Sequence, residues 1–194
     1  MKIKSLAGLI SQSKKLVLLD IENSGTQWAG DGVALYSLSG LPKMSCLECL
    51  RMLDIPAIKA AGIDTRLQLM PNKWATYTLP LDDTQGLQEI LPTDEIFSYR
   101  GYALHPFSTR DGATYLIQTK YLKPLENAAG LSFWLAKPGS FRFIVAYDGL
   151  FPVAMLPPLF DTQGNIASYL SALATKLKYT SPWSNEPKET EGGE

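Results

Sequence analysis

Two stretches of this sequence carry the same order of hydrophobic patterns, and any fold for the chain has to accommodate both. The first starts with Lys4, Leu6, Leu9 and Ile10 at helical spacing and continues through the apolar run Leu16-Val17-Leu18-Leu19. It then passes through residues 27–36, centred on Asp31-Gly32, and leaves through Leu41-Pro42. The second places Lys120, Leu122 and Leu125 on a short helix, residues 131–135 on a strand and residues 141–148 on a strand closed by Asp148-Gly149; it leaves through Leu156-Pro157. The offset stays between 115 and 117 residues. Repetition on this scale constrains topology more than any single motif. Asp-Gly between β-prone runs signals a tight hairpin, so each stretch reads as a helix, a strand and a hairpin. A third pair, Asp111-Gly112, precedes an expected strand at 114–119.

A shorter echo is more literal. Leu79-Pro80-Leu81 leads to Asp83-Thr84-Gln85-Gly86, and Leu156-Pro157-Pro158-Leu159 leads to Asp161-Thr162-Gln163-Gly164. In both, a strand exits through Leu-Pro and an Asp or Thr can accept from the unpaired amides that open a helix. Leu41-Pro42 ahead of Ser45 makes a third such passage. The helices so placed are amphipathic. Cys46, Cys49, Leu50 and Leu53 fall at i, i+3, i+4 and i+7, and Ile166, Tyr169, Leu170, Leu173 and Leu177 continue that spacing. Further strands are expected at 66–70 and 74–79, and a helix at 84–91. The expected fold class is α+β, with internally duplicated β-α-β-β units, antiparallel sheets and amphipathic helices. The first repeat half takes residues 1–80 and the second 113–180. Between them lies an acidic linker region, 81–112, opened by Asp82, Asp83, Glu89, Asp94 and Glu95; a disordered acidic tail, 181–194, follows.

Composition restricts the chemistry. At 194 residues with 45% apolar content the chain is long enough for a substantial core. One His excludes a multi-histidine metal site, and two Cys exclude a four-thiolate zinc site and a disulfide framework. No cofactor is expected. Lys2 and Lys4 ahead of residues 6–10 have the charge order of an export signal, but the apolar run falls short of the roughly 7–15 residues needed. The runs 131–136 and 149–160 are likewise too short and too broken for a bilayer span of roughly 18 residues. The expectation is a cytoplasmic protein with no membrane partner. With 18 Lys+Arg against 19 Asp+Glu the chain has no global attraction to phosphate, so DNA contact requires lysines gathered on one face.

Several residues invite a functional reading, each with a structural one beside it. Cys46 and Cys49 have the spacing of a redox pair at a helix start that Ser45 can cap, where free amides favour a thiolate. Both also lie on the stripe shared with Leu50 and Leu53, where a cysteine is a small core residue. His105, the only histidine, has Asp111 and several serines nearby in sequence as partners for nucleophilic catalysis; it also reads as a loop residue before Pro106. Asp82-Asp83 and Asp94-Glu95 can act as paired carboxylates or as helix-start charges offsetting the macrodipole. Gly30-Asp31-Gly32 lacks the third glycine and following helix of a phosphate loop and reads as a hairpin. Trp74, Tyr99, Tyr102 and Trp183 can stack on bases or a partner, or pack a sheet.

The repeated units, the helix entry Tyr121-Leu122-Lys123-Pro124-Leu125, and the strand ending Val145-Ala146-Tyr147-Asp148-Gly149 ahead of Val153-Ala154-Met155-Leu156-Pro157 together resemble the bacterial DNA sliding clamp family. That resemblance implies a non-enzymatic ring or ring fragment with sheets outside and helices facing DNA. An apolar surface for peptides of replication proteins is implied as well. The lysines that would meet phosphate are Lys14, Lys15, Lys120, Lys123, Lys176 and Lys178. Three functions follow: a clamp-like accessory or adaptor module in DNA transactions, a compact protein-interaction domain that self-associates or binds a protein partner without DNA, or an enzyme using His105 or Cys46.

Overall fold

The computed structural model describes residues 1–22, 25–70, 87–126, 128–136 and 142–159. The expected strand 74–79, Asp82-Asp83, the echoes at Asp83 and Asp161, the helix carrying Ile166 to Leu177, Trp74, Trp183 and the tail 181–194 lie outside the described residues. Of those residues 45% are strand and 21% helix, so the sheet sets the architecture and the helices cover it.

The elements are α1 (Ile3–Ser13), β1 (Lys15–Ile21), β2 (Gln27–Gly30), β3 (Leu35–Ser37), α2 (Cys46–Met52), α3 (Ala57–Ala60) and β4 (Asp64–Met70). There follow β5 (Leu87–Pro92), β6 (Phe97–Tyr99), β7 (Tyr102–Thr109), β8 (Thr114–Gln118) and two 3-10 turns, η1 (Thr119–Tyr121) and η2 (Lys123–Leu125). The last three strands are β9 (Leu131–Ala136), β10 (Phe143–Asp148) and β11 (Phe151–Leu156). Among the described residues they form one mixed sheet in the order β4-β1-β2-β3-β11-β10-β9-β5-β7-β6, with β8 on β7.

At its centre two three-stranded meanders meet by their third strands, β3 antiparallel to β11, with Tyr36 opposite Ala154. Their registers correspond. Leu18 faces Ala29 in the first as Phe133 faces Ala146 in the second, and Ala29 faces Tyr36 as Ala146 faces Ala154. All six side chains contribute to one core. The preceding helical elements also meet: the Lys2 amide donates to the Pro124 carbonyl over 2.7 Å, which seats α1 beside η2.

α1 forms because Leu6, Leu9 and Ile10 make a single buried stripe, and it stops where Lys14 turns left-handed at φ 54°. Burying each of these side chains contributes about 1.5–3 kcal/mol. α2 opens on a capping box: Ser45 Oγ accepts from the Glu48 amide, and the Glu48 carboxylate accepts from the Ser45 amide at 2.8 Å. β5 joins two parts of the sheet. Leu87, Gln88 and Glu89 pair with β9, whereas Ile90, Leu91 and Pro92 pair with β7. The sheet folds at this strand, so Phe107 of β7 meets the Phe133 ring edge-on at 5.1 Å and joins the same core.

Four expectations are corrected. Each meander follows its helical element, so the order is helix-strand-strand-strand and not β-α-β-β. The sheet is mixed, because β1 and β4 run parallel through the α2–α3 crossover. Residues 87–91, read as part of a helix, are strand: Leu-Gln-Glu-Ile-Leu satisfies either period, and pairing on both edges decides for the strand. The expected helix at 120–125 is two 3-10 turns, because Pro124 lacks an amide and breaks the α-helical hydrogen-bond pattern. The described part of the region 81–112 supplies β5, β6 and β7. No helix among the described residues is long and apolar enough to cross a membrane.

Candidate functional site

The strongest polar feature sits where the two meanders meet. Asp31, only 4% exposed, closes the β2–β3 hairpin by accepting from the amides of Val33 at 2.9 Å and Ala34 at 3.0 Å. Its other oxygen accepts from the Tyr121 hydroxyl at 3.4 Å, and the Tyr36 hydroxyl donates to the Tyr121 carbonyl at 2.7 Å. Residues far apart in sequence are thus joined through buried polar groups. Burial, then the Asp31 charge, raises the pKa of both tyrosines above the ordinary phenol value; Tyr121 adds a smaller push on Tyr36, and the hydrogen bond to Asp31 and then Tyr102 add to the shift of Tyr121. Both phenols stay protonated and act as donors. Gly30 is required here because a Cβ on it would stand 1.8 Å from the Ala34 carbonyl oxygen. From the sequence, Asp31-Gly32 signalled only a hairpin; nothing local marked the aspartate as buried.

Of the lysines expected to meet phosphate, Lys14 and Lys15 lie at the C-terminal end of α1, and Lys123 lies on η2, beside the start of that helix. Lys14 caps its C-terminal end. Lys15 lies across the hairpin, its ammonium 3.5 Å from where a Cβ on Gly32 would stand. Lys120 places its ammonium 4.7 Å from the centre of the Tyr121 ring, and Lys123 is exposed on η2. Lys2, just ahead of α1, pairs with Glu126 at 3.2 Å. Lys176 and Lys178 lie outside the described residues.

The cysteines pack. Cys49 is buried and its thiol is pushed up to about 11, first by burial and then by Cys46; Cys46 is half-buried and its thiol is raised by burial. Both shifts oppose the thiolate that redox chemistry needs. His105 lies on β7 and not in a loop: Pro106 fits within the strand, and its carbonyl accepts from the Thr93 amide at 3.0 Å. His105 Nε2 is 2.6 Å from the Thr93 carbonyl, which can only accept, so this nitrogen carries the proton. Asp111 is engaged elsewhere, by Thr109 Oγ1 and by Gln88 at 3.0 Å, and the Thr109 bond chiefly holds its carboxyl below the usual range. About 13 Å of strand separates His105 from Thr109, so the histidine and this carboxylate do not form a dyad. Asp94 and Glu95 lie in the β5–β6 connection and open no helix. Among the described residues no three metal-ligating side chains cluster.

Tyr99 and Tyr102 face each other across the two-residue turn between β6 and β7, where Arg100 and Gly101 both take positive φ, 48° and 81°. The Arg100 guanidinium lies 5.4 Å from the Tyr99 ring centre. Tyr99 packs on Leu104 and Leu116, and Tyr102 is 49% exposed.

No family model matches this chain, and neither a curated protein nor a solved structure matches it significantly.

Proposed function

We propose that this chain is a non-enzymatic, clamp-like accessory or adaptor module in DNA transactions, built from two related helix-plus-meander units. The observation that carries this reading is the matched register of the two meanders about the β3–β11 contact, with equivalent side chains on one core face. Two such units side by side, helical elements on one face and strands behind, are what the clamp resemblance requires. Lys14, Lys15, Lys120 and Lys123, together with Lys176 and Lys178, are the positions that would meet the phosphates. A ring would need several copies, so self-association belongs to this reading.

A short duplex DNA titrated with the chain at increasing salt tests it. Binding with a log-log slope of about −0.9 per phosphate contact is expected, weakened by charge reversal at Lys14 and Lys15 without loss of fold. Absence of binding at low salt overturns the DNA role and leaves the protein-interaction domain. One observation favours that second reading: Leu150 and Phe151 stand 81% and 70% exposed at the β10–β11 turn.

A further inference from the structure

We propose a second nucleic-acid contact, for single strands, at the β6–β7 turn, where Tyr102 is a stacking platform flanked by Arg100 and Lys120. Tyr102 begins β7 between two neighbours. On one edge it is paired with Tyr99. On the other, β8 ends at Gln118 opposite Leu104 and gives way to η1, which carries Lys120 and is tied to the Ala103 carbonyl by Thr119 Oγ1 at 3.0 Å. Neighbouring strands are about 4.8 Å apart, which sets the spacing of Tyr99 and Tyr102. The cations are held in place. Arg100 lies over Tyr99 at 5.4 Å and Lys120 over Tyr121 at 4.7 Å, and of these three tyrosines Tyr102, at 49% exposure, is the exposed one.

Charge identifies the occupant. From residue 97 to 125 the chain carries Arg100, Arg110, Lys120 and Lys123 against one carboxylate, Asp111; Arg110 and Asp111 sit together past the far end of β7, and Asp94, Glu95 and Glu126 flank the segment. An exposed ring with a cation on either side fits a ligand that alternates flat rings with phosphates. Only unpaired bases can stack on such a ring; in a duplex the base faces are already occupied. The site shares Lys120 with the clamp reading and is distinct from Lys14 and Lys15 at the end of α1; its stacking ring, Tyr102, belongs to this site alone.

A labelled oligothymidylate of about 15 nucleotides, followed by fluorescence anisotropy, tests the proposal. Tyr102→Ala should weaken binding by about 10-fold to 100-fold, whereas Tyr102→Phe should retain it, because stacking needs the ring and not the hydroxyl. Arg100→Asn, which keeps a residue tolerant of positive φ, and Lys120→Ala should each reduce the salt slope by about 0.7. Unchanged binding in Tyr102→Ala, equal loss in Tyr102→Phe, or tighter binding of an acidic phosphopeptide than of the oligonucleotide overturns it. Duplex binding that persists while the oligothymidylate fails removes this site alone; loss of both removes the DNA role as well.

Discussion

The two hairpin tips at corresponding places in the meanders have opposite characters. In the first, Asp31 is buried, Ala34 is fully buried and the turn is tied to Tyr121 from the other half of the chain. In the second, Asp148 is exposed, and Leu150 and Phe151 stand in solvent. Identical dipeptides, Asp-Gly, therefore sit in a structural joint at one tip and on a free surface at the other. A turn motif specifies backbone direction; what the side chain does depends on what arrives from elsewhere in the chain.

Substitutions at the two tips should separate accordingly, and urea unfolding measures the difference. Gly30→Ala is the most damaging, on the order of 3–5 kcal/mol, because the new Cβ meets a backbone oxygen that cannot move away cheaply. Gly149→Ala should cost only about 1–2 kcal/mol, the penalty of a left-handed residue, since a Cβ there meets nothing within 4 Å. Equal costs would mean that the first tip is as loose as the second. Next comes Asp31→Ala, which strips two amides and the Tyr121 hydroxyl of their acceptor and should cost about 2–3 kcal/mol, against less than about 0.5 kcal/mol for Asp148→Ala.

Tyr36→Phe should cost about 1–2 kcal/mol by leaving the Tyr121 carbonyl without its donor. It carries a pH signature too. The unfolded phenol ionises near 10.0 while the buried one keeps its proton, so unfolding above that pH releases a proton. Stability is complete below about pH 10 and falls as pH rises further, by up to about 1.4 kcal/mol per pH unit for this residue. The variant should make that alkaline limb shallower, with Tyr121, whose phenol is also raised, supplying part of the remainder, and an unchanged limb would remove Tyr36 as a source. The smallest effect belongs to Phe151→Ser, within about 0.5 kcal/mol of the parent. Light scattering on the same variant asks whether the exposed tip joins copies: a drop in mass at equal stability assigns it to self-association, and an unchanged mass removes it from that role.

Much of the central sheet was legible in the sequence. The apolar run at Leu16, the Asp-Gly turns and the stripe Leu6, Leu9, Ile10 each encode a local period that the fold keeps. The illegible parts depend on distant partners. Leu87-Gln88-Glu89-Ile90-Leu91 fits a helix until β9 and β7 claim its two halves. His105-Pro106 reads as a loop until β8 pairs with it, Pro106 opposite Leu116. The site was legible only as a set of residue types: lysines were named, but not their places at the end of α1 and on the two 3-10 turns, and Tyr102 was named without its cationic neighbours.

The tie between Tyr36 and Tyr121 also has a consequence during synthesis. The hydroxyl of Tyr36 waits for a carbonyl 85 residues later in the chain, a delay of roughly 4–17 s at translation rates of 5–20 residues per second. Until then α1 has no η2 to lie against and Asp31 has no phenol to accept from, so the first meander leaves the ribosome with its joint open and its inner face waiting for the second.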